Sequence, residues 1–189
     1  SIIDNVDFNT ASKGSIYILN SRQDQITNCD IKVSVGNSSI LRYGIYLDNC
    51  SGYKIENNTL YGVPSSAKIK NVGIYVNNSG PYANSIYNNS FNSVEQGMWA
   101  QNQNVNWFTQ VGLKMNCNDF TNCKYDIGVQ KGGKYAALTP NYTGVDGTQG
   151  ITFGTDSDNV RNTYSAICTT NLENKFYINT LNTFFTNNN

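Results

Sequence analysis

The sequence predicts an all-β fold, a right-handed parallel β-helix (solenoid) of about five regular coils followed by an irregular C-terminal cap. Three observations predict it. A six-residue phrase, apolar–polar–Asn–x–x–apolar, recurs along the first two thirds of the chain. A second phrase, small–apolar–aromatic–apolar, falls between its copies at registered distances. The composition is that of a chain with many tight turns between strands: 31 of 189 residues are Asn, with 16 Gly, 13 Tyr and 8 Phe. Asn and Gly tolerate left-handed backbone angles, and aromatic and β-branched residues favour strands.

The first phrase begins the chain as Ile3-Asp4-Asn5-Val6-Asp7-Phe8. It returns as Ile26-Thr27-Asn28-Cys29-Asp30-Ile31, Ile55-Glu56-Asn57-Asn58-Thr59-Leu60, Ile86-Tyr87-Asn88-Asn89-Ser90-Phe91 and Met115-Asn116-Cys117-Asn118-Asp119-Phe120. The starts are 23, 29, 31 and 29 residues apart. The second phrase reads Ser15-Ile16-Tyr17-Ile18, Gly44-Ile45-Tyr46-Leu47, Gly73-Ile74-Tyr75-Val76, Gly97-Met98-Trp99-Ala100 and Asp126-Ile127-Gly128-Val129. Its first apolar residue falls 13, 19, 19, 12 and 12 residues after that of the first phrase, so the slack sits in two insertions, within "GNSSILRY" and "VPSSAKIKN". Registered phrases with slack confined to loops are the signature of a repeat architecture.

Each phrase is too short for a helix and alternates with period two, so alternate side chains face one side. One coil per repeat, stacked about 4.8 Å apart, turns equal positions into ladders. The expected interior ladders are Ile3/Ile26/Ile55/Ile86/Met115, Phe8/Ile31/Leu60/Phe91/Phe120 and Ile16/Ile45/Ile74/Met98/Ile127. The column Asn5, Asn28, Asn57 and Asn88 marks the corner between two strands, where stacked amides can bond from coil to coil. Cys117 interrupts this column and Asn118 follows, which suggests a corner displaced by one residue. A leucine-rich horseshoe would need a Leu-x-x-Leu-x-Leu pattern, and a propeller four strands per ~40 residues. Residues 1–130 are therefore read as β-helix coils. Residues 131–189 are read as a long loop and an irregular terminal coil or cap, because an open stack exposes edge strands and core.

The charge balance narrows the partners. Formal net charge is zero and 14% of residues are charged, so the clustered cationic footprint that nucleic acid requires is missing. No run approaches the ~18 apolar residues of a membrane span. The opening "SIIDNVDF" reads as structured sequence without a signal peptide or initiator Met, as expected of a mature product or a fragment of something longer. There is no His and no C-x-x-C, which disfavours zinc. The Asn/Ser/Thr-rich, Lys-poor composition suggests an extracellular, disulfide-permitting location. Cys117 with Cys123, and Cys29 with Cys50, are the candidate pairs for disulfides, with buried thiols as the alternative, and Cys168 makes the count odd.

The stretches "KIENNTLYG…GIYVNNSG", "SIYNNSFNS…GMWAQNQN" and "GLKMNCNDFTNCKYDIGVQ" resemble right-handed parallel β-helix (PbH1-type) repeat proteins. They are similar in particular to modules of large surface or secreted proteins exported by the type IX secretion system. The tail "GTQG…NVRNTYS" is similar to the way such modules close. The resemblance covers residues 1–130 and implies a secreted or cell-surface location. It does not select a function, because this fold hosts polysaccharide lyases, hydrolases, adhesins and passive stalks. The chain carries no type IX sorting domain, so the export route is implied by the resemblance alone.

Four groups of residues are candidates for chemistry. Tyr17, Tyr46, Tyr75 and Trp99 should face outward as an aromatic stripe, ending at Gly128. Such a stripe can carry sugar rings or a protein neighbour, or can simply stack on itself. The outward column Asp4, Thr27, Glu56, Tyr87 and Asn116 holds no carboxylate pair. Asp7 and Asp30 are one coil apart, the one pair placed for glycosidase chemistry, with Asp119 three coils beyond Asp30. Asp residues at such places more often cap turns. No metal is expected, although "GTDSDN" (154–159) could offer calcium its loop oxygens. Asn-x-Ser/Thr sequons at Asn37, Asn49, Asn57, Asn77, Asn88 and Asn141 are what chance yields in so Asn-rich a chain.

The expectation is a non-catalytic structural or adhesive module of a larger secreted or surface protein, with polysaccharide or another domain of the same parent chain as partner. A β-helix lyase or glycoside hydrolase, and a protein-docking module using the Tyr/Trp stripe, are the alternatives.

Overall fold

The computed structural model describes residues 1–9, 14–35, 41–62, 71–79, 82–102, 104, 111–130 and 176–179. Most of its strands are short because the residue that follows takes a left-handed backbone angle, which ends the extended run and which Asn tolerates better than most residues. They gather into three parallel sheets in which, through the first fifteen strands, neighbours are three strands apart in sequence, so the chain visits each sheet once per turn. The first sheet holds β1 (Ile2–Asp4), β4 (Gln25–Thr27), β7 (Lys54–Glu56), β10 (Asn84–Tyr87) and β13 (Leu113–Asn116). The second holds β2 (Asp7–Phe8), β5 (Asp30–Lys32), β8 (Thr59–Tyr61), β11 (Ser90–Asn92) and β14 (Asp119–Thr121). The third has the longer strands β3 (Gly14–Leu19), β6 (Arg42–Asp48), β9 (Asn71–Asn77), β12 (Gln96–Gln101) and β15 (Tyr125–Gln130), with β16 (Phe176–Asn179) beside β15. This is a parallel β-solenoid, and no helix occurs among the described residues.

The register realises all three apolar ladders. Ile3, Ile26, Ile55, Ile86 and Met115 are successive partners in the first sheet. Phe8, Ile31, Leu60, Phe91 and Phe120 are partners in the second, and Ile16, Ile45, Ile74, Met98 and Ile127 in the third. From Ile26 onward the first ladder is buried, and Phe91 and Phe120 stack at 4.9 Å with planes 9° apart. Each fully buried side chain of this size contributes about 1.5–3 kcal/mol.

Two expectations at the first corner need correction. Asn5, Asn28, Asn57 and Asn88 do take left-handed angles (φ 55°, 54°, 59° and 54°), but Cys117 takes the same position at φ 57°. The corner is not displaced: Tyr87 and Asn116 remain register partners, and the Asn88 amide donates to Asn116 O at 3.1 Å. Ladder pairing on both sides outweighs the ~1–2 kcal/mol that a Cβ costs in this conformation. Nor do the proposed disulfides form, since Cys29, Cys50, Cys117 and Cys123 all carry thiols. Cys29 follows the corner between the first and second sheets, and Cys50 the corner after β6, at the end of the third sheet. Cys117 and Cys123 flank β14, which holds them about 10 Å or more apart along an extended strand, beyond bridging reach.

Residues 131–175 and 180–189, which hold most of the expected loop and cap, Cys168, and 154–159, lie outside the described residues.

Candidate functional site

The outer face of the third sheet carries the candidate stripe. Tyr17, Tyr46, Tyr75 and Trp99 are successive register partners, and strand alternation sets them on the side opposite the flanking aliphatics, which face in. Tyr17 and Tyr46 stack at 4.4 Å with planes 11° apart, and Tyr46 and Tyr75 at 5.2 Å and 10°. Tyr43 packs against both Tyr46 and Tyr75, tilted at 4.9 Å and edge-on at 5.2 Å. The stripe is therefore a stack viewed edge-on. Its ring faces meet each other along the axis, and each such pair adds about 0.5–1.5 kcal/mol beyond area burial. Exposure falls along it, from 54% at Tyr17 to 8% at Trp99. At Gly128 a Cβ would fall within the Trp99 indole, so the missing side chain is what lets Trp99 lean over the next strand.

A polar column runs beside the rings, through Asp48 and Asn77, two residues beyond Tyr46 and Tyr75, and Asn102, just past the end of β12. Asn102 donates to Asn77 Oδ1 at 2.6 Å, Asn77 to Asp48 Oδ1 at 2.9 Å, and the Tyr46 hydroxyl to Asp48 Oδ2 at 3.2 Å. Burial, reinforced by the Asp48 carboxylate and neighbouring phenols, pushes the Tyr46 hydroxyl well above the ordinary tyrosine range. Burial does the same for Tyr75 and Tyr43. Past the stack a cleft of about 330 Å³ opens, lined by Leu41, Asn71, Tyr75, Glu95, Gln96, Trp99 and Gln101.

The corners hold ladders that were only half visible in the sequence. The outer amides connect as expected in one place, Asn88 donating to Asn57 Oδ1 at 2.8 Å, whereas Asn28 donates to Asp4 Oδ1 at 2.8 Å. That bond and the one from Thr27 hold the Asp4 carboxyl below its usual range. The continuous ladder lies one residue on and inside, in Asn58, Asn89 and Asn118, all buried. Asn58 N and Nδ2 both donate to Asn89 Oδ1 (3.0 and 2.9 Å), and Asn89 N and Nδ2 both donate to Asn118 Oδ1 (3.0 Å each). Cys29 heads this ladder: its amide donates to Asn58 Oδ1 at 3.0 Å, and its thiol to Thr27 O at 3.1 Å. The doubled Asn of "ENNT" and "YNNS" was the available signal, one Asn for the backbone angle and the next for the ladder. Cys50 and Cys123 likewise follow left-handed Asn residues and donate to the carbonyls of Asp48 (3.3 Å) and Thr121 (3.6 Å).

Asp7 and Asp30 are register neighbours in the second sheet, but both side chains are exposed. A glycosidase acid works from a site withdrawn from water, whereas these two side chains stand on the exposed face. Thr59 and Ser90 separate Asp30 from Asp119 in that column. Among the described residues the buried carboxylates are Asp24, 3.2 Å from the Ser1 amine, and Asp126. No cluster of three or more metal-ligating side chains occurs among the described residues, and they contain no helix long and apolar enough to cross a membrane. Comparison of the chain with protein-family models, curated proteins and solved structures finds no match.

Proposed function

We propose that this chain is a non-catalytic structural module of a larger secreted or cell-surface protein, a stiff stalk that also presents an adhesive face. The observation that supports this reading is the continuity of its axial contacts. The Asn58/Asn89/Asn118 ladder, the Tyr17/Tyr46/Tyr75 stack, the Phe91/Phe120 stack and the Asp48/Asn77/Asn102 column each join one coil to the next. They lie at different points around the cross-section, so bending in any direction stretches one of them. Each coil leans only on its neighbours, which suits a rod lengthened by adding coils. The resemblance to modules of type IX-exported proteins supports the surface placement.

The test has three arms: pulling single molecules along the axis, labelling intact source cells with antibody to this segment, and incubating it with a polysaccharide panel. The reading expects stepwise unravelling at sustained force, labelling without permeabilisation, and no new reducing ends or unsaturated sugars. Release of sugar products would establish the enzyme reading instead.

A further inference from the structure

The cleft beyond the tyrosine stack is not needed by a stalk. We propose that it is a binding site for a neutral sugar ring. Its volume of about 330 Å³ lies at the lower end of small-ligand sites. Tyr75 and Trp99 contribute its aromatic surface from adjacent strands, at the same register level. The apolar C–H face of a pyranose suits such rings, and its rim of hydroxyls needs groups that both donate and accept. Gln96 and Gln101 supply them. They stand on the same strand on either side of Trp99, both partly exposed, and among the described residues neither side-chain amide has a hydrogen-bond partner.

Charge selects the ligand class. Among the described residues, Glu95 is the only carboxylate lining the cleft, and Lys124 holds it as an ion pair at 3.4 Å. With that pair closed, the described lining offers no unpaired side-chain charge, so neither a uronate nor an amino sugar gains a counter-charge from it. Asn71 is occupied structurally, its Oδ1 accepting the Glu95 amide at 2.6 Å, and this fixes the wall from which Gln96 projects. Trp99 is braced from behind by the space over Gly128. The site is thus assembled before ligand arrives, which lowers the ordering cost of binding.

Saturation-transfer NMR with glucose, galactose, mannose, N-acetylglucosamine and cellobiose, beside galacturonate and glucosamine, tests the proposal. At least one neutral sugar should receive saturation at its ring C–H protons at about 10 mM or below. A Gln96→Ala/Gln101→Ala variant, which leaves the aromatic pair in place, should weaken that sugar about tenfold or more with an unchanged melting temperature. Trp99→Phe, the gentler probe of the ring, should reduce the transferred signal without abolishing the fold. No transfer to any neutral sugar, equal affinity in the double variant, or preference for the charged sugars would each overturn the proposal. The stalk reading would survive, because it rests on ladders elsewhere.

Discussion

Asn89→Ala should be far more damaging than Asn88→Gly at its neighbour, although both belong to the same "NN". Asn89 is 1% exposed, and its side chain makes five hydrogen bonds. Its Oδ1 accepts from Asn58 N and Nδ2, and its Nδ2 donates to Ile55 O at 2.9 Å, Tyr87 O at 3.1 Å and Asn118 Oδ1 at 3.0 Å. Alanine keeps none of these. The decisive loss is the acceptor for the Asn58 amide, because an orphaned buried donor costs about 1–3 kcal/mol while each further neutral bond contributes about 0.5–1.5 kcal/mol. With partial relaxation the total is about 3–5 kcal/mol, a large fraction of a domain's stability. Asn88 instead lies at φ 54° and makes one exposed amide bond, to Asn57. Asn88→Gly keeps the left-handed angle without penalty and should stay within about 1 kcal/mol of the parent. Urea denaturation gives the two stabilities, and hydrogen exchange at the Asn58 amide reports the ladder directly. A loss below about 1 kcal/mol in Asn89→Ala, or one no greater than in Asn88→Gly, would refute the assignment of the inner ladder as the stabilising one.

Three more predictions follow the same reasoning. Alkaline pH should unfold the protein through its tyrosines: Tyr43, Tyr46, Tyr53 and Tyr75 all have hydroxyls raised by burial in the folded state. Their un-ionised forms stabilise the fold fully below the unfolded value near pH 10, and that stability is lost as pH rises above it. Melting temperature measured against pH, alongside phenolate absorbance, should show these rings ionising only as the fold is lost. Gly97→Ala should lower stability by about 1–3 kcal/mol by overpacking, since a Cβ there meets the Phe120 ring and comes within 2.7 Å of Asp126 O; a melting curve superimposable on the parent would contradict this. Cys117→Asn should raise stability by about 1 kcal/mol, since Asn accepts φ 57° more readily than Cys. The urea midpoint is the check, and a decrease would show that the thiol's contact with Tyr87 matters more than the backbone angle.

The ladders were legible because the interior of a solenoid asks for the same property at the same place in every coil. Ile26, Ile55 and Ile86 stand at the same step of their phrases, and period-two alternation orients them inward without knowledge of the rest of the fold. The left-handed Asn column was legible for the same reason, since the angle is a local demand. Side-chain partnerships were not. The doubled Asn marked Asn88 for the angle, but that the next residue, Asn89, turns inward to bond with Asn58 and Asn118 depended on the coils above and below. Tyr17, Tyr46 and Tyr75 could be placed on one outer column, but whether their faces were open or spent on one another depended on rotamers shared across coils. The cysteine pairs failed as disulfides because spacing along the chain does not say which corner a residue follows.

What the sequence by itself determined, then, is the coil: the strand phrases, the corners and the inward ladders. These follow from backbone preference and side-chain alternation, which act within a few residues. The tertiary structure alone decided where Cys117 sits, which amide bonds to which, and how Trp99 leans over Gly128 to wall the cleft. Those outcomes arise between residues some thirty positions apart that only stacking brings to about 4.8 Å.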